Sequence, residues 1–163
     1  MITVYVKGLA KPTNPGVGTY GFAVYSAGQK VKEEYGFYKE PSTQNEATYY
    51  ALRVALKWLL SAFLEKEPII IKSDSRMLIN QMLGFLNADP QTYYYKEYKE
   101  ALRLSKYFTN ISFQLIPRWQ NEADGLAQKA YVEHCRKKGL SLKGPYNGVT
   151  RLMKRLPWIN QNR

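Results

Sequence analysis

The order of elements in this sequence predicts a mixed α/β fold, one sheet with helices packed on it. Three observations carry that expectation. Apolar residues alternate along three early stretches, the period lengthens to that of a helix from Glu46 onward, and Ile69-Ile70-Ile71 is a continuous β-branched run. Such a run suits a central strand buried on both faces. The resulting order, βββαβααβα, is a meander of three strands followed by two strands delivered by helical crossovers.

Ile2-Thr-Val-Tyr-Val-Lys7 alternates and forms the first strand, ending at Gly8. Leu9–Gly18 contains Pro12, Asn14-Pro15-Gly16 and Gly18, and reads as a loop rich in backbone donors. Thr19–Ser26 and Val31–Tyr38 alternate again; Ala27-Gly28-Gln29-Lys30 joins them as a hairpin. Pro41-Ser-Thr-Gln-Asn is a loop and capping region. From Glu46 to about Glu65, Ala47, Ala51, Val54, Ala55, Trp58, Leu59, Ala62 and Phe63 make one broad apolar stripe, the mark of a long packed helix.

Pro68 precedes the isoleucine strand, which runs out into Lys72-Ser73-Asp74-Ser75. An Asp just beyond a buried strand sits where α/β sheets build ligand sites, and it also sits where a helix cap belongs. Ser75 is placed to cap a short helix, Arg76–Leu83. Gly84–Pro90 breaks the pattern, Thr92–Tyr107 resumes a helix, and Ile111–Ile116 is a further strand. Pro117-Arg-Trp-Gln is a loop. The last helix is expected over Asn121–Lys137, capped by Asn121, with Glu122 and Asp124 at its positive N-terminal end. Gly139, Gly144, Pro145 and Gly148 then mark an extended tail with one helical turn near Thr150–Leu156. Residues 1–138 are therefore read as one domain and 139–163 as a basic extension.

Composition narrows the class of function. The 163 residues suffice for one ordinary core, and there is no internal repeat or low-complexity tract. A single cysteine, Cys135, excludes an internal disulfide and suits a reducing compartment. No charged-then-apolar leader opens the chain and no apolar run approaches the length of a membrane span, so a soluble, cytoplasmic protein with no membrane partner is expected. Formal net charge is +11, unevenly placed. Residues 136–163 hold eight Lys/Arg and no Asp or Glu, which leaves 16 against 13, or +3, for residues 1–135. Such a segment fits an acidic polymer as partner, or serves as a solubilising tail.

Four motifs together resemble ribonuclease H of type 1, in the short form without a basic protrusion between its middle helices. They are Gly8 followed by Asn14-Pro15-Gly16; Thr43-Gln-Asn-Glu-Ala-Thr-Tyr-Tyr-Ala-Leu52; Ser73-Asp74-Ser75; and Pro117-Arg118 followed by Asn121-Glu-Ala-Asp124. Each stands at the end of the right element, and the likeness covers residues 2–135. It implies a ribonuclease H-like fold: a five-stranded sheet of order 3-2-1-4-5, its first three strands antiparallel, with helices on both faces. It also implies hydrolysis of RNA paired to DNA, with four carboxylates holding two Mg²⁺ beside the scissile phosphate.

The sequence departs from that pattern at two of the four ligands. The family's first carboxylate falls at Lys7 and the second at Thr48, whereas Asp74 and Asp124 match the other two. Glu46 is a substitute for the missing acid only if it lies in the loop, because two residues along a helix point about 200° apart. A unit positive charge about 4 Å from a divalent ion costs roughly 8 kcal/mol at an effective dielectric near 20. Lys7 is therefore expected to bridge Asp74 and Asp124 where a metal would have stood, or else to swing to solvent on its long stem.

Residues matching the family's substrate contacts are better kept. Asn14, Gly16, Gln44 and Asn45 correspond to positions that contact the RNA strand, and amides can read both faces of a 2′-hydroxyl. The same four residues also suit turns and a helix cap. Arg118 and the tail cations Arg151, Lys154 and Arg155 complete the expected nucleic-acid contacts. Tyr93-Tyr94-Tyr95 with Tyr98 is either a stacking platform or the inner face of a helix, and Trp119 either stacks on substrate or packs over the rim. His134 and Cys135 have no partner spacing for a metal.

Three functions remain open at this level. The first is a catalytically inactive ribonuclease H-like protein binding RNA, an RNA–DNA hybrid or a ribonucleoprotein assembly, with no cofactor. The second is an active nuclease that uses Mg²⁺. The third is a protein-interaction module docking on an acidic partner.

Overall fold

The computed structural model describes residues 1–139, which form one mixed sheet with helices on both faces. The chain runs through β1 (Ile2–Lys11), β2 (Gly16–Ser26), β3 (Gln29–Ser42), α1 (Gln44–Ser61), β4 (Ile69–Ser73), α2 (Arg76–Met82), α3 (Tyr95–Ser105), β5 (Ile111–Leu115) and α4 (Asp124–Lys137). Strand order is β3-β2-β1-β4-β5. The first three strands pair antiparallel, and β4 joins β1 in parallel before β5 pairs with β4 in parallel. The sheet order expected from the sequence is the one observed. Among the described residues, no helix is long and apolar enough to cross a membrane. The cations Arg151, Lys154 and Arg155, and the extension assigned to residues 139–163, lie outside the described residues apart from Gly139.

Alternation along β1 explains the two layers. Ile2, Val4 and Val6 point to one face, where they join Phe22 and Val24 of β2, Ile69 and Ile71 of β4, and Leu52, Ala55, Leu56 and Leu59 of α1 in the main core. Lys7 and its ladder partner Gly21 point to the other face, against α4. Two glycines allow both helices to come close. A Cβ on Gly8 would lie 2.1 Å from the Thr48 backbone nitrogen of α1. One on Gly21 would lie 2.7 Å from Leu126 Cβ and 2.9 Å from the Ala127 nitrogen of α4.

Several boundaries differ from the sequence reading, each for a physical reason. The expected loop Leu9–Gly18 is mostly strand: Leu9, Ala10 and Lys11 pair with Thr19, Gly18 and Val17, and only residues 12–15 turn. Gly18 is needed there because a Cβ would meet Ser42 Cβ at 2.4 Å. α1 begins at Gln44 because Thr43 caps it, its hydroxyl accepting from the Glu46 nitrogen while Glu46 accepts from the Thr43 nitrogen. α3 starts three residues later than expected, at Tyr95. The tyrosine group is core: Tyr94 and Tyr98 are buried, and both rings pack on Tyr49, one stacked and one edge-on. Tyr49 and Tyr94 are joined through Gln81, whose amide accepts from one hydroxyl at 2.6 Å and donates to the other at 3.0 Å. Tyr93 alone of the four stands out into solvent.

Candidate nucleic-acid interface

The C-terminal ends of β4 and β5 and the middle of β1 bring the motif residues to one edge of the sheet. Ligands of α/β sheets bind at such an edge, because strands and helix termini there present their polar ends together. β4 ends at Ser73, whose hydroxyl accepts from the Ser75 nitrogen and turns the chain so that Asp74 projects back over β1. Ser75 caps α2, accepting from the Leu78 nitrogen.

Lys7 meets Asp74 at this edge. Its ammonium donates to Asp74 Oδ2 at 2.7 Å and lies 3.5 Å from Asp124 Oδ1, and all three side chains are largely buried. The long stem does not swing to solvent. The other Asp74 oxygen, Oδ1, accepts from Asn121 Nδ2 at 2.7 Å. Burial alone would raise the Asp74 carboxyl. Hydrogen bonds from Lys7 and Asn121, with the Lys7 charge, outweigh it and hold the group below the ordinary aspartate value.

Asn121 is not the cap of α4. That helix starts at Asp124 and has Ala123 at its cap position, with no side-chain hydrogen bond. The Asn121 amide instead donates to the Val6 carbonyl of β1 as well as to Asp74, and its oxygen accepts from the Ala123 nitrogen. One buried side chain thus ties β1, β4 and the start of α4 together around the ion pair. Sequence reasoning missed this role; a cap and a long-range bridge use the same residue type.

Asp124 is shared among several groups. Its Oδ2 accepts from Gln128 Nε2 at 2.6 Å. Its Oδ1 is buried without a hydrogen bond, 3.5 Å from Lys7 Nζ and 3.7 Å from Arg118 Nε.

The residues present do not fit the two Mg²⁺ that the family resemblance implies. A hard divalent ion needs clustered anionic oxygen, and the place between the two carboxylates is filled by an ammonium. Thr48 turns its hydroxyl to its own helix, donating to the Gln44 carbonyl at 2.8 Å. Glu46 is inside α1 and is held by its capping bonds and an ion pair with Lys39, away from the groove lined by Lys7 and Thr48. Among the described residues no three His, Cys, Asp or Glu side chains are grouped to hold a metal.

The expected substrate contacts line up beside this pair. Asn14 Oδ1 accepts from the Gln44 nitrogen at 3.0 Å, pinning the β1–β2 turn to the start of α1. Gly16 permits that turn, since a Cβ would lie 2.3 Å from the Thr13 carbonyl oxygen. Gln44 and Asn45 join Lys7, Thr48, Ser73, Asp74 and Ser75 around a recess of about 120 Å³. Beside it, Arg118 lines a second groove of about 400 Å³ with Asp74 and Arg76. Trp119, on the 3₁₀ turn Arg118–Gln120, is 84% exposed among the described residues. His134 stacks flat on Phe37, ring centres 4.2 Å apart, and Cys135 is a buried free thiol.

A family model described as reverse transcriptase-like matches residues 17–130. No curated protein matches the chain. Among solved structures, the RNase H1 of the halophilic archaeon Halobacterium salinarum is 28% identical, covering 81% of this chain and 98% of its own, with a TM-score of 0.72. The N-terminal RNase H domain of a Mycobacterium tuberculosis protein, solved as a fusion with maltose-binding protein, is 25% identical over 84% of this chain and 97% of its own, with a TM-score of 0.75. LC11-RNase H1, isolated from compost by a metagenomic approach, shares the fold in a complex with an RNA/DNA hybrid: 24% identity, 82% and 99% coverage, TM-score 0.74.

Proposed function

Because this chain belongs to the reverse transcriptase-like family, whose type 1 ribonuclease H fold it carries, we propose that it binds nucleic acid at this edge without cleaving it. The observation that carries the reading is the ammonium of Lys7 lying between Asp74 and Asp124, where two-metal chemistry would require anionic oxygen. The ligand is RNA or an RNA–DNA hybrid, and Asn14, Gly16, Gln44, Asn45 and Arg118 form the contact edge. Support comes from their continuity along the sheet edge and from the hybrid bound by a structure of the same fold. Amide side chains and main-chain groups at that edge suit 2′-hydroxyls, and Arg118 suits phosphate. Cys135, a buried free thiol, is in keeping with a reducing, cytoplasmic setting.

A labelled RNA–DNA hybrid tests the reading, with cleavage and binding followed in parallel under Mg²⁺ and Mn²⁺. Binding without cleavage is the expected result. Metal-dependent turnover that disappears in Asp74→Asn would make the protein an active nuclease instead.

A further inference from the structure

We propose that the groove between Arg76 and Arg118 is a phosphate site that takes a nucleic-acid backbone phosphodiester directly, without a divalent ion. The inference rests on the nucleic-acid-binding reading and specifies how that binding is made.

The groove has a volume of about 400 Å³ and is lined by Asp74, Arg76, Leu115, Ile116, Pro117 and Arg118. Two arginines therefore line one space. Arg76 is exposed, and its side chain forms no hydrogen bond or ion pair among the described residues. Arg118 is also largely exposed, and its one ion pair, Nε to Asp124 at 3.7 Å, is long. Both forks are available for the paired N–H···O bonds that guanidinium makes with phosphate.

A bare carboxylate on the floor would repel such a ligand, and Asp74 is not bare. One of its oxygens is taken by Lys7 at 2.7 Å and the other by Asn121 at 2.7 Å. Around the edge, Lys7, Lys11, Arg76 and Arg118 stand against the two carboxylates Asp74 and Asp124. Cations outnumber anions, the reverse of what a metal-binding carboxylate site presents. Burial and the nearby charges of Arg118 and Lys7 lower the Lys11 ammonium, although Asp124 works against them. An anion entering the groove relieves that crowding. Leu115, Ile116 and Pro117 supply an apolar wall that keeps water from one side of the contact. The same substitution that removes a metal ligand, Lys at position 7, thus makes the edge receptive to phosphate itself.

The test uses the full-length protein. Binding of a short RNA–DNA hybrid is measured in EDTA and again in Mg²⁺, for wild type, Arg76→Gln and Arg118→Gln. Inorganic pyrophosphate, as a probe without sugar or base, is titrated in EDTA while the guanidinium NMR signals of both arginines are followed. The site predicts tight hybrid binding in EDTA and a loss on the order of tenfold in each variant. It also predicts a salt dependence shallower by about one unit of slope per variant, and pyrophosphate shifts at Arg76 and Arg118. Hybrid binding that requires Mg²⁺, or that neither substitution weakens, overturns the phosphate site and leaves binding without cleavage standing. If no hybrid binds under either condition, the parent reading fails, and the pyrophosphate shifts decide the groove by themselves: present, they uphold it; absent, they remove it.

Discussion

Removing the ammonium of Lys7 would leave Asp74 with burial opposing its charge and only Asn121 among side chains still donating to it. Asp124 Oδ1 would then keep Arg118 Nε at 3.7 Å and the charge of Lys11 nearby. Breaking a buried pair from one side costs roughly 3 kcal/mol, because a charge is stranded. Lys7→Ala is therefore expected to lose about that much stability at pH 7, measured by urea unfolding. The sign with pH follows from Asp74. Its carboxyl is held below the usual value of 3.8, so the pair's contribution is fully present above that pH and is lost as pH falls through the lowered value. The gap between wild type and variant should accordingly narrow in strong acid. A gap equally wide at pH 7 and at pH 3 would assign the loss to packing and not to charge.

Where α1 crosses β1, the limit is steric. Gly8→Ala would drive a methyl to within 2.1 Å of the Thr48 nitrogen, an atom that cannot move without the helix. Forcing a helix off its sheet costs roughly 3 kcal/mol, and denaturant unfolding reads it directly. A variant as stable as wild type would mean that the helix slides freely. This contact is invisible in the sequence, although the elements that make it are not. Periodicity placed the cores of all five strands and four helices, because alternation and the 3.6-residue stripe report which face is buried. It failed at the ends. Pro12, Asn14-Pro15-Gly16 and Gly18 signal a turn, yet ladder pairing carries β1 to Lys11 and starts β2 at Gly16. Asn121 has the chemistry of a cap and is used across 115 residues of sequence to hold the Val6 carbonyl. The Lys7 pair was legible because two matched carboxylates and a cation left few arrangements; the Arg76 side of the groove was not, since an exposed arginine in a helix's first turn has no distinguishing local pattern.

For the whole molecule, the governing quantity is where positive charge resides. Eight of the 24 Lys/Arg fall in residues 136–163, and five of these, Lys143, Arg151, Lys154, Arg155 and Arg163, follow Gly139. If four to six of those eight cations engage phosphates, log K should fall against log salt with a slope of roughly −3 to −5 from residues 136–163. Deleting residues 139–163, which removes five of the eight, should flatten the slope while the sheet and its helices remain folded. Such contacts position a ligand without reading bases, so the deletion should weaken RNA, hybrid and DNA duplex alike. A salt titration of both forms on the three ligands measures this. An unaltered slope would assign the tail to a protein partner.

At neighbouring rungs of the β1–β2 ladder, Gly8 receives the main chain of α1 from above and Gly21 receives that of α4 from below. The sheet is thus clamped between two helices, main chain against main chain at Gly8 and against the Leu126 Cβ and the Ala127 nitrogen at Gly21. Thr48 and its helix turn stand on one jaw, and the helix that begins at Asp124 forms the other. The jaws cannot open independently, and a ligand reaching across this edge meets a span already set to a fixed gauge, as a caliper is before it touches the work.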